Sequence, residues 1–437
     1  MIADTTTGRV RGMLKDGVRV WRGIPYASAP RFQPPGPVAP WTGDRDATKF
    51  GPVAIQSRDP RIAMMSGVTD KIAMSEDCLV LNVVAPDREG PHPVLVWIHG
   101  GAFVMGSGST PLYDGTSFAK RHGLVVVTLN YRLGLLGFHG GNHALLDQVA
   151  ALAWVRDNIA AFGGDPTSVT AMGESAGAIS IATLLAMPAA DGLFHRAILQ
   201  SGASPLTVAT RDELAVVDIA ADASLDAILA AQARLAADKG LAAFAPYVDG
   251  QTVPCVPVDG IRTRVPTLMG TNRDEWALFE VFLGPASVEP VKAPLYARVG
   301  HRLDEILAVY DNNWIDVIGD IAFRLPMLRL AQLVPSFVYR FDWRSPAMNG
   351  RLGAAHAMEL PFVWNKLDLP ASQFLLGGAQ VQPLADLMHD TWARFARTGD
   401  PGWPAHGTAR TTMLFDTESR VVDDPDRERR VIWDGVV

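Results

Sequence analysis

The residues Gly173-Glu174-Ser175-Ala176-Gly177 place a serine between two glycines, where a β-branched run gives way to small residues. A serine in this position can occupy a sharp turn between a strand and a helix, where a Cβ at either glycine would collide with its neighbours. Such a turn presents Ser175 as a nucleophile. Because a serine hydroxyl is weak on its own, the chemistry also requires a base, an acid that orients the base, and donors for an oxyanion.

A second glycine-containing segment offers the oxyanion donors. The apolar residues 94–98 run into His99-Gly100-Gly101-Ala102-Phe103, where small side chains allow backbone N–H groups to turn toward a ligand. The sequence therefore predicts Gly101 and Ala102 as oxyanion donors, with Ala176, next to the serine, as the third. A plain tight turn is the structural alternative for the segment His99–Phe103.

Five histidines follow Ser175, and the expected chain order of nucleophile, acid and base selects the base from this set: His195, His301, His356, His389 and His406. His356 lies in a loop of small residues at 353–359, shortly after a predicted strand, which is where a base should be presented. His195 is too near the serine in the chain, and His389 falls inside a predicted helix, where a structural histidine is usual. The residues favour His356.

The acid should follow a strand between the nucleophile and the base. The predicted strand 265–270 leads into Thr271-Asn272-Arg273-Asp274-Glu275-Trp276. Asp274 and Glu275 are both candidates, and their spacing does not separate them. A solvated loop carboxylate is the structural alternative for each.

The elements that must position these residues alternate between strands and helices. Strands are predicted at 79–84, 94–98, 124–129, 169–172, 196–200, 265–270 and 336–343, and helices at 145–162 and 383–397. A hairpin is predicted over 8–21 and short surface helices over 209–240. This alternation predicts an α/β protein whose parallel sheet is covered on both faces. We expect a single domain, 1–437, with cap segments around 205–260 and 277–335.

Composition restricts the partners. The chain has 437 residues, of which 48% are hydrophobic, so it can bury a large core, and its net charge of −7 argues against nucleic acid or an anionic membrane as partner. Two cysteines imply no disulfide framework. No window is apolar enough to predict a membrane span, and the N-terminal residues lack the features of a signal peptide. We therefore expect a cytoplasmic protein.

Longer segments resemble the type-B carboxylesterase/lipase family, which contains para-nitrobenzyl esterases and cholinesterases. The similarity runs nearly end to end, and its most specific segments are W-R-G-I-P-Y-A at 21–27, S-E-D-C-L-V-L-N-V at 75–83, V-L-V-W-I-H-G-G-A-F at 94–103, F-G-G-D-P-T-S-V-T-A-M-G-E-S-A-G-A at 162–178, G-T-N-R-D-E at 270–275 and H-A-M-E-L-P-F-V-W at 356–364. The resemblance implies an α/β-hydrolase fold with a mostly parallel central sheet and helices on both faces. Because the chain between Ser175 and His356 is shorter than is usual in the family, a reduced cap is expected.

The resemblance also implies roles for individual residues. Ser175 would be the nucleophile, Glu275 the acid in preference to Asp274, and His356 the base. The oxyanion donors would be Gly101, Ala102 and Ala176. Glu174 and Ser201 resemble residues that border the histidine, and two structural ion pairs are implied, Arg31 with Glu76 and Arg132 with Asp147.

The expected activity is that of a serine carboxylic-ester hydrolase acting on small to medium apolar esters through an acyl-enzyme intermediate. The machinery requires no cofactor and no metal, and the expected partner is a small-molecule ester. An amidase or carbamate hydrolase with the same triad is one alternative. A catalytically silent binding protein is another, and the oligomeric state stays open between monomer and homodimer.

Overall fold

The computed structural model describes residues 1–57, 72–203, 209–210, 218–239, 243–284 and 288–436. The chain forms two compact units. The first comprises Met1–Leu199, Pro205–Val265 and Ala393–Gly399, and the second comprises Gln200–Ser204, Pro266–Trp392 and Asp400–Val437. The single domain over 1–437 stays a prediction. Of the two predicted cap segments, residues 205–208, 211–217, 240–242 and 285–287 lie outside the described residues.

The first part of the chain contains most of the strands. These are β1 (Ile2–Thr5), β2 (Gly8–Arg11), β3 (Met13–Lys15), β4 (Val18–Pro25), β5 (Asp44–Asp46), β6 (Val80–Pro86), β7 (His92–Ile98), β8 (Val125–Leu129), β9 (Gly164–Glu174), β10 (Arg196–Gln200), β11 (Ala209–Thr210) and β12 (Tyr247–Val248). The helices are α1 (Thr116–His122), α2 (Gly134–Phe138), α3 (His143–Asn158), α4 (Ala176–Leu184) and α5 (Leu225–Lys239).

Parallel pairing places the ends of β7 and β9 side by side in the first unit. β7 pairs in parallel with β8 on one side and with β9 on the other, and Ile98 stands opposite Gly173 in the β7–β9 register. β8 is buried along its whole length, as its β-branched run predicts. The antiparallel strands β6, β4 and β3 extend the sheet beyond β8. The segments that follow β7 and β9 therefore emerge at neighbouring positions.

The predicted N-terminal hairpin is shorter than expected. Only β3 and β4 form it, with Lys15 paired to Val18 across a turn at Asp16 and Gly17. Both turn residues have positive φ, 50° and 73°, which suits a tight two-residue hairpin turn. β2 instead pairs with β1 and β5 in a separate sheet.

Two predicted helical regions differ from the structure in their bounds. The predicted helix 145–162 is α3 followed by a 3₁₀ turn, Ile159–Phe162, and it stops at Gly163, whose φ is 84°. In the predicted helical region 209–240 the structure places the short strand β11 and the helix α5. β11 pairs in parallel with β12, so part of this segment is extended.

The second unit has its own set of parallel strands. β13 (Thr267–Asn272), β14 (Ser336–Phe341) and β15 (Thr411–Phe415) pair in parallel, and β16 (Arg420–Asp423) is antiparallel to β15. The helices of this part of the chain are α6 (Ala277–Leu283), α7 (Glu289–Val299), α8 (Leu303–Val309), α9 (Trp314–Gly319), α10 (Leu325–Leu330), α11 (Leu360–Val363), α12 (Pro370–Leu376), α13 (Gln382–Thr398) and α14 (Arg427–Val431). The longest of them, α13, corresponds to the predicted helix 383–397, and the N–H of the following Gly399 donates to the Phe395 carbonyl oxygen at 2.7 Å.

A π-helical turn connects α9 to α10. It spans Asp320–Arg324, and the Tyr310 hydroxyl donates to Asp320 Oδ2 at 2.7 Å. The Trp433 indole donates in turn to the Tyr310 oxygen at 2.8 Å, which ties the C-terminal segment to this turn. In the part of the chain that the structure describes, no helix is both long and apolar enough to cross a membrane.

Candidate active site

Ser175 occupies a strained turn between β9 and α4. Its φ and ψ are 51° and −120°, outside the regions that residues with a side chain ordinarily adopt. A Cβ added at Gly177 would lie 2.0 Å from the Ile98 carbonyl oxygen, and one at Gly173 would lie 2.6 Å from the Gly177 carbonyl carbon. A side chain at either position would therefore collide with the backbone, as predicted. The turn holds Ser175 against the end of β7.

The segment after β7 packs directly on this turn. Gly101, Ala102 and Phe103 have φ values of 112°, 50° and 60°. A Cβ at Gly100 would lie 2.5 Å from Glu174 Oε2 and 3.1 Å from Ser175 Cβ. The close approach requires glycine at position 100, and the positive φ values at the next three residues set the path of the loop backbone.

The side chain of His99 is hydrogen-bonded to the backbone of this loop. Its Nδ1 lies 2.8 Å from the Gly100 carbonyl oxygen, which can only accept, so Nδ1 carries the proton and donates. The ring stacks on Tyr131 at 4.4 Å, and the Tyr131 hydroxyl donates to the His99 carbonyl oxygen at 2.8 Å. Burial lowers the pKa of His99 to about 4. His99 is thus a neutral structural histidine.

Glu275 and His356 are brought together in the second unit. His356 Nδ1 lies 2.7 Å from Glu275 Oε2, and both side chains are buried. The backbone N–H of Asn272 donates to the other carboxylate oxygen at 2.7 Å, and the His356 N–H donates to the Glu275 carbonyl at 3.2 Å. With Nδ1 donating to the carboxylate, Nε2 of the neutral imidazole keeps the lone pair that a general base needs.

The other candidates from the sequence have different partners. Asp274 Oδ2 accepts from the Ala354 N–H at 2.9 Å and from Arg344 Nε at 3.1 Å. His389 Nδ1 and His406 Nδ1 donate to the backbone carbonyls of Val363 and Thr411. Ring nitrogens engaged in this way indicate structural histidines. Of the two neighbouring acids, Glu275 is the one hydrogen-bonded to a histidine.

Glu174 and Ser201 are both buried, Glu174 in the first unit and Ser201 in the second. Ser201 has a positive φ of 49°, and its N–H donates to the Gly270 carbonyl at 2.8 Å. This hydrogen bond fixes Ser201 beside β13, the strand that leads to Glu275. A role for Glu174 or Ser201 toward the histidine stays a prediction.

Two neighbouring aromatic rings pack beside the imidazole of His356. The ring centres of Phe279 and Phe323 lie 5.4 Å and 4.7 Å from it, and the two phenyl planes are within 7° of parallel. Trp276 packs on Phe279 at 4.7 Å, so the base sits in an apolar surrounding. The sequence pattern does not point to Phe323. It lies in the π-helical turn, which hydrophobic periodicity does not reveal.

Glu359 is a second buried carboxylate that the sequence analysis did not assign. Asn272 Nδ2 donates to its Oε2 at 2.6 Å, and Gln200 Nε2 donates to its Oε1 at 2.9 Å. Its position three residues after His356, within the segment at 356–364, was the available signal. An acidic residue at the start of an otherwise apolar stretch is often a surface residue, and here it has no exposed surface.

Both implied ion pairs are present. Arg132 forms a bidentate pair with Asp147, with Nε–Oδ2 and Nη2–Oδ1 distances of 2.8 Å and 2.7 Å, and Arg31 Nε lies 2.8 Å from Glu76 Oε2. The thiols of Cys78 and Cys255 are free. Among the described residues, no group of three or more His, Cys, Asp and Glu side chains is arranged to hold a metal ion.

Comparison with known proteins identifies the family. A family model described as the carboxylesterase family matches residues 1–223 and 293–420. The chain is 39% identical to a para-nitrobenzyl esterase of Bacillus subtilis (strain 168), over 98% of this chain and 97% of that protein. It is 37% identical to a phenmedipham hydrolase of Pseudarthrobacter oxydans, over 92% of this chain and 90% of that protein.

Solved structures agree with this assignment. The structure of a thermophilic PNB esterase matches with a TM-score of 0.89 at 37% identity, and 99% of each chain is covered. A second PNB esterase structure matches with a TM-score of 0.88, again over 99% of both chains. The predicted α/β-hydrolase fold is thereby confirmed. The chain belongs to the carboxylesterase family, and it is a carboxylesterase.

Proposed function

We propose that this carboxylesterase cleaves small to medium apolar carboxylic esters through the triad Ser175, His356 and Glu275. The observation that carries the proposal is the 2.7 Å hydrogen bond between His356 Nδ1 and Glu275 Oε2, because it fixes the tautomer of the base. The strained turn at Ser175 supports the role of nucleophile. A backbone held at φ 51° in a buried strand-to-helix junction costs free energy that a purely structural serine would not require.

In this mechanism Ser175 Oγ attacks the ester carbonyl while His356 Nε2 removes its proton. The tetrahedral oxyanion accepts hydrogen bonds from the N–H groups of Gly101, Ala102 and Ala176. His356 then returns the proton to the leaving alcohol, and an acyl-enzyme remains. Water, activated by the same imidazole, releases the acid, and Glu275 stabilises the imidazolium in both halves of the cycle.

The apolar character of the substrate is inferred from what surrounds the base. Phe279, Phe323 and Trp276 form one cluster with Val288 and Ile318, and the first two contact the imidazole itself. Such walls exclude water and favour an apolar group near the reacting carbon. Two relatives bear the names para-nitrobenzyl esterase and fumonisin B1 esterase, which supports an ester, in preference to an amide, as the bond that is cleaved.

The test compares Ser175→Ala with Ser419→Ala, which removes a hydroxyl from the turn between β15 and β16. We expect Ser175→Ala to lose roughly 10⁴-fold or more in kcat on a para-nitrophenyl ester and to stay unlabelled by a fluorophosphonate probe. Ser419→Ala should behave as the unchanged protein in both assays. Near-normal turnover by folded Ser175→Ala would contradict the proposed nucleophile.

A further inference from the structure

The mechanism above leaves Glu359 unused, although it lies in the same hydrogen-bond network as Glu275. Asn272 joins the two carboxylates, since its backbone N–H donates to Glu275 Oε1 at 2.7 Å and its Nδ2 donates to Glu359 Oε2 at 2.6 Å. Asn272 Nδ2 also donates to the carbonyl of Ala355 at 2.6 Å, the residue before His356. One asparagine thus connects the acid, the loop of the base and Glu359.

Trp392 determines which atom of the Gln200 amide faces Glu359. Its indole N–H can only donate, and it lies 3.1 Å from Gln200 Oε1. That contact requires the amide oxygen of Gln200 to face the indole. The amide nitrogen of Gln200 therefore faces Glu359, and it lies 2.9 Å from Oε1.

Ala355 determines independently which atom of the Asn272 amide faces Glu359. Its carbonyl oxygen can only accept, so the Asn272 atom 2.6 Å away must be the nitrogen. The same nitrogen lies 2.6 Å from Glu359 Oε2. Both oxygens of Glu359 therefore accept a hydrogen bond from an amide N–H. Neither of these two amide nitrogens could accept a proton from a protonated Glu359.

Burial, followed by the negative charge of Glu275, raises the pKa of Glu359, and the hydrogen bonds from Asn272 and Gln200 oppose this rise. The titratable groups in the network are Glu275, Glu359 and His356. A protonated Glu359 would place an O–H against one of the two amide donors. The arrangement of donors thus favours the carboxylate form.

We propose that Glu359 is a positioning residue that acts as an ionised, double acceptor, holding Asn272 and through it Glu275 and the His356 loop. This inference rests on the proposed roles of Glu275 and His356. It assigns Glu359 a second effect, because a negative charge linked through Asn272 to the residue before His356 favours the imidazolium that forms during acyl transfer. Glu359 itself does not touch the substrate.

The first variant is Glu359→Gln, which keeps the shape of the side chain and replaces one acceptor with an NH₂ group. That group would face the amide nitrogen of Gln200 or of Asn272. We expect kcat to fall about tenfold to hundredfold with KM changed less than about threefold. The acid limb of kcat/KM should move to lower pH by about 0.5 to 1 pH unit, because the imidazolium loses a nearby negative charge.

The decisive variant is the exchange Gln200→Glu with Glu359→Gln. The carboxylate introduced at position 200 would then accept from the Trp392 indole and from the new amide at position 359, while the oxygen of that amide accepts from Asn272. Every donor regains an acceptor, so most of the lost kcat should return. Gln200→Glu alone places two carboxylates against each other and should be impaired. A double-mutant cycle on kcat gives the coupling.

A measurement on the unchanged protein covers the case that a variant does not fold. Carbon NMR of glutamate labelled at Cδ should show the Glu359 carboxyl ionised at about pH 8, its signal identified by scalar coupling across the hydrogen bonds to the side-chain nitrogens of Asn272 and Gln200. A protonated Glu359 at that pH would overturn the inference. So would unchanged kcat and pH profile in Glu359→Gln, or an exchange variant that folds without recovering. Each of these leaves the Ser175→Ala result, and hence the proposed function, intact.

Discussion

Asp274 and Glu275, adjacent in the chain, hold two different points of the loop at 353–359, which carries His356. Asp274 Oδ2 accepts from the Ala354 backbone N–H at 2.9 Å, while Glu275 Oε2 accepts from His356 Nδ1 at 2.7 Å. The two carboxylates thus divide the work, one fixing the backbone of the loop and the other the imidazole. Sequence spacing alone does not distinguish them, because both follow the same strand.

Glu275→Gln should therefore be far more harmful to catalysis than Asp274→Asn. The amide can present an N–H to Nδ1 and favour the wrong imidazole tautomer, so we expect kcat to fall roughly 10³- to 10⁴-fold. Asp274→Asn should lose less than about tenfold in kcat and about 1 kcal/mol in stability through weakened hydrogen bonds. Steady-state kinetics and urea unfolding of both variants check this, and the reverse order in kcat would make Asp274 the acid.

Gly100→Ala should disturb the nucleophile without touching a catalytic side chain. The added Cβ would lie 2.5 Å from Glu174 Oε2 and 3.1 Å from Ser175 Cβ, so the loop and the turn must move apart. Because this would displace the proposed oxyanion donors, we expect kcat to fall about hundredfold or more.

The matched control for Gly100→Ala is Gly36→Ala, whose added Cβ would meet only the Ser28 carbonyl oxygen at 3.8 Å. It should retain full activity. Kinetics on a para-nitrophenyl ester compare the two variants. Equal activity in both variants would show that the loop after β7 tolerates a side chain at position 100, and would contradict the close contacts at Gly100.

His99 should make the stability of the protein depend on pH. Burial lowers its pKa from 6.5 to about 4, so between these values the unfolded chain binds more protons than the folded chain. Stability is then lost as the pH falls below about 6.5, by about 2 kcal/mol at pH 5. The free energy of unfolding in urea, compared between about pH 7.5 and about pH 5, should fall by about that much more in the unchanged protein than in His99→Gln. Equal losses in the two proteins would mean that His99 titrates normally in the fold.

The strands and the turn that carry the site could be predicted because their signals are local. Residues 125–129 are β-branched for the most part and fully buried, and the two glycines around Ser175 mark the strand-to-helix junction. The choice of His356 among the histidines that follow Ser175 also rested on local features, a strand followed by a loop of small residues. These features depend on neighbours in the chain, which a sequence displays directly.

The network around Glu359 could not be predicted in the same way. Its hydrogen bonds connect Glu359 with Gln200, 159 residues away, and with Asn272, 87 residues away. Which atom donates is decided by still other groups, namely the indole of Trp392 and a backbone carbonyl. The contact of Phe323 with His356 could not be predicted for a related reason, because it depends on a π-helical turn with no periodic signature.

The absence of room at Gly100 has a consequence for how this enzyme could be altered. The loop after β7 and the turn at Ser175 interlock so tightly that neither can be redesigned alone, because any change in the backbone of one displaces the other. Phe279 and Phe323, beside His356, lie in separate helical segments and contact the imidazole through their side chains. A programme that seeks a new substrate should therefore leave the interlocked pair untouched and begin with side chains whose exchange moves neither the loop nor the turn.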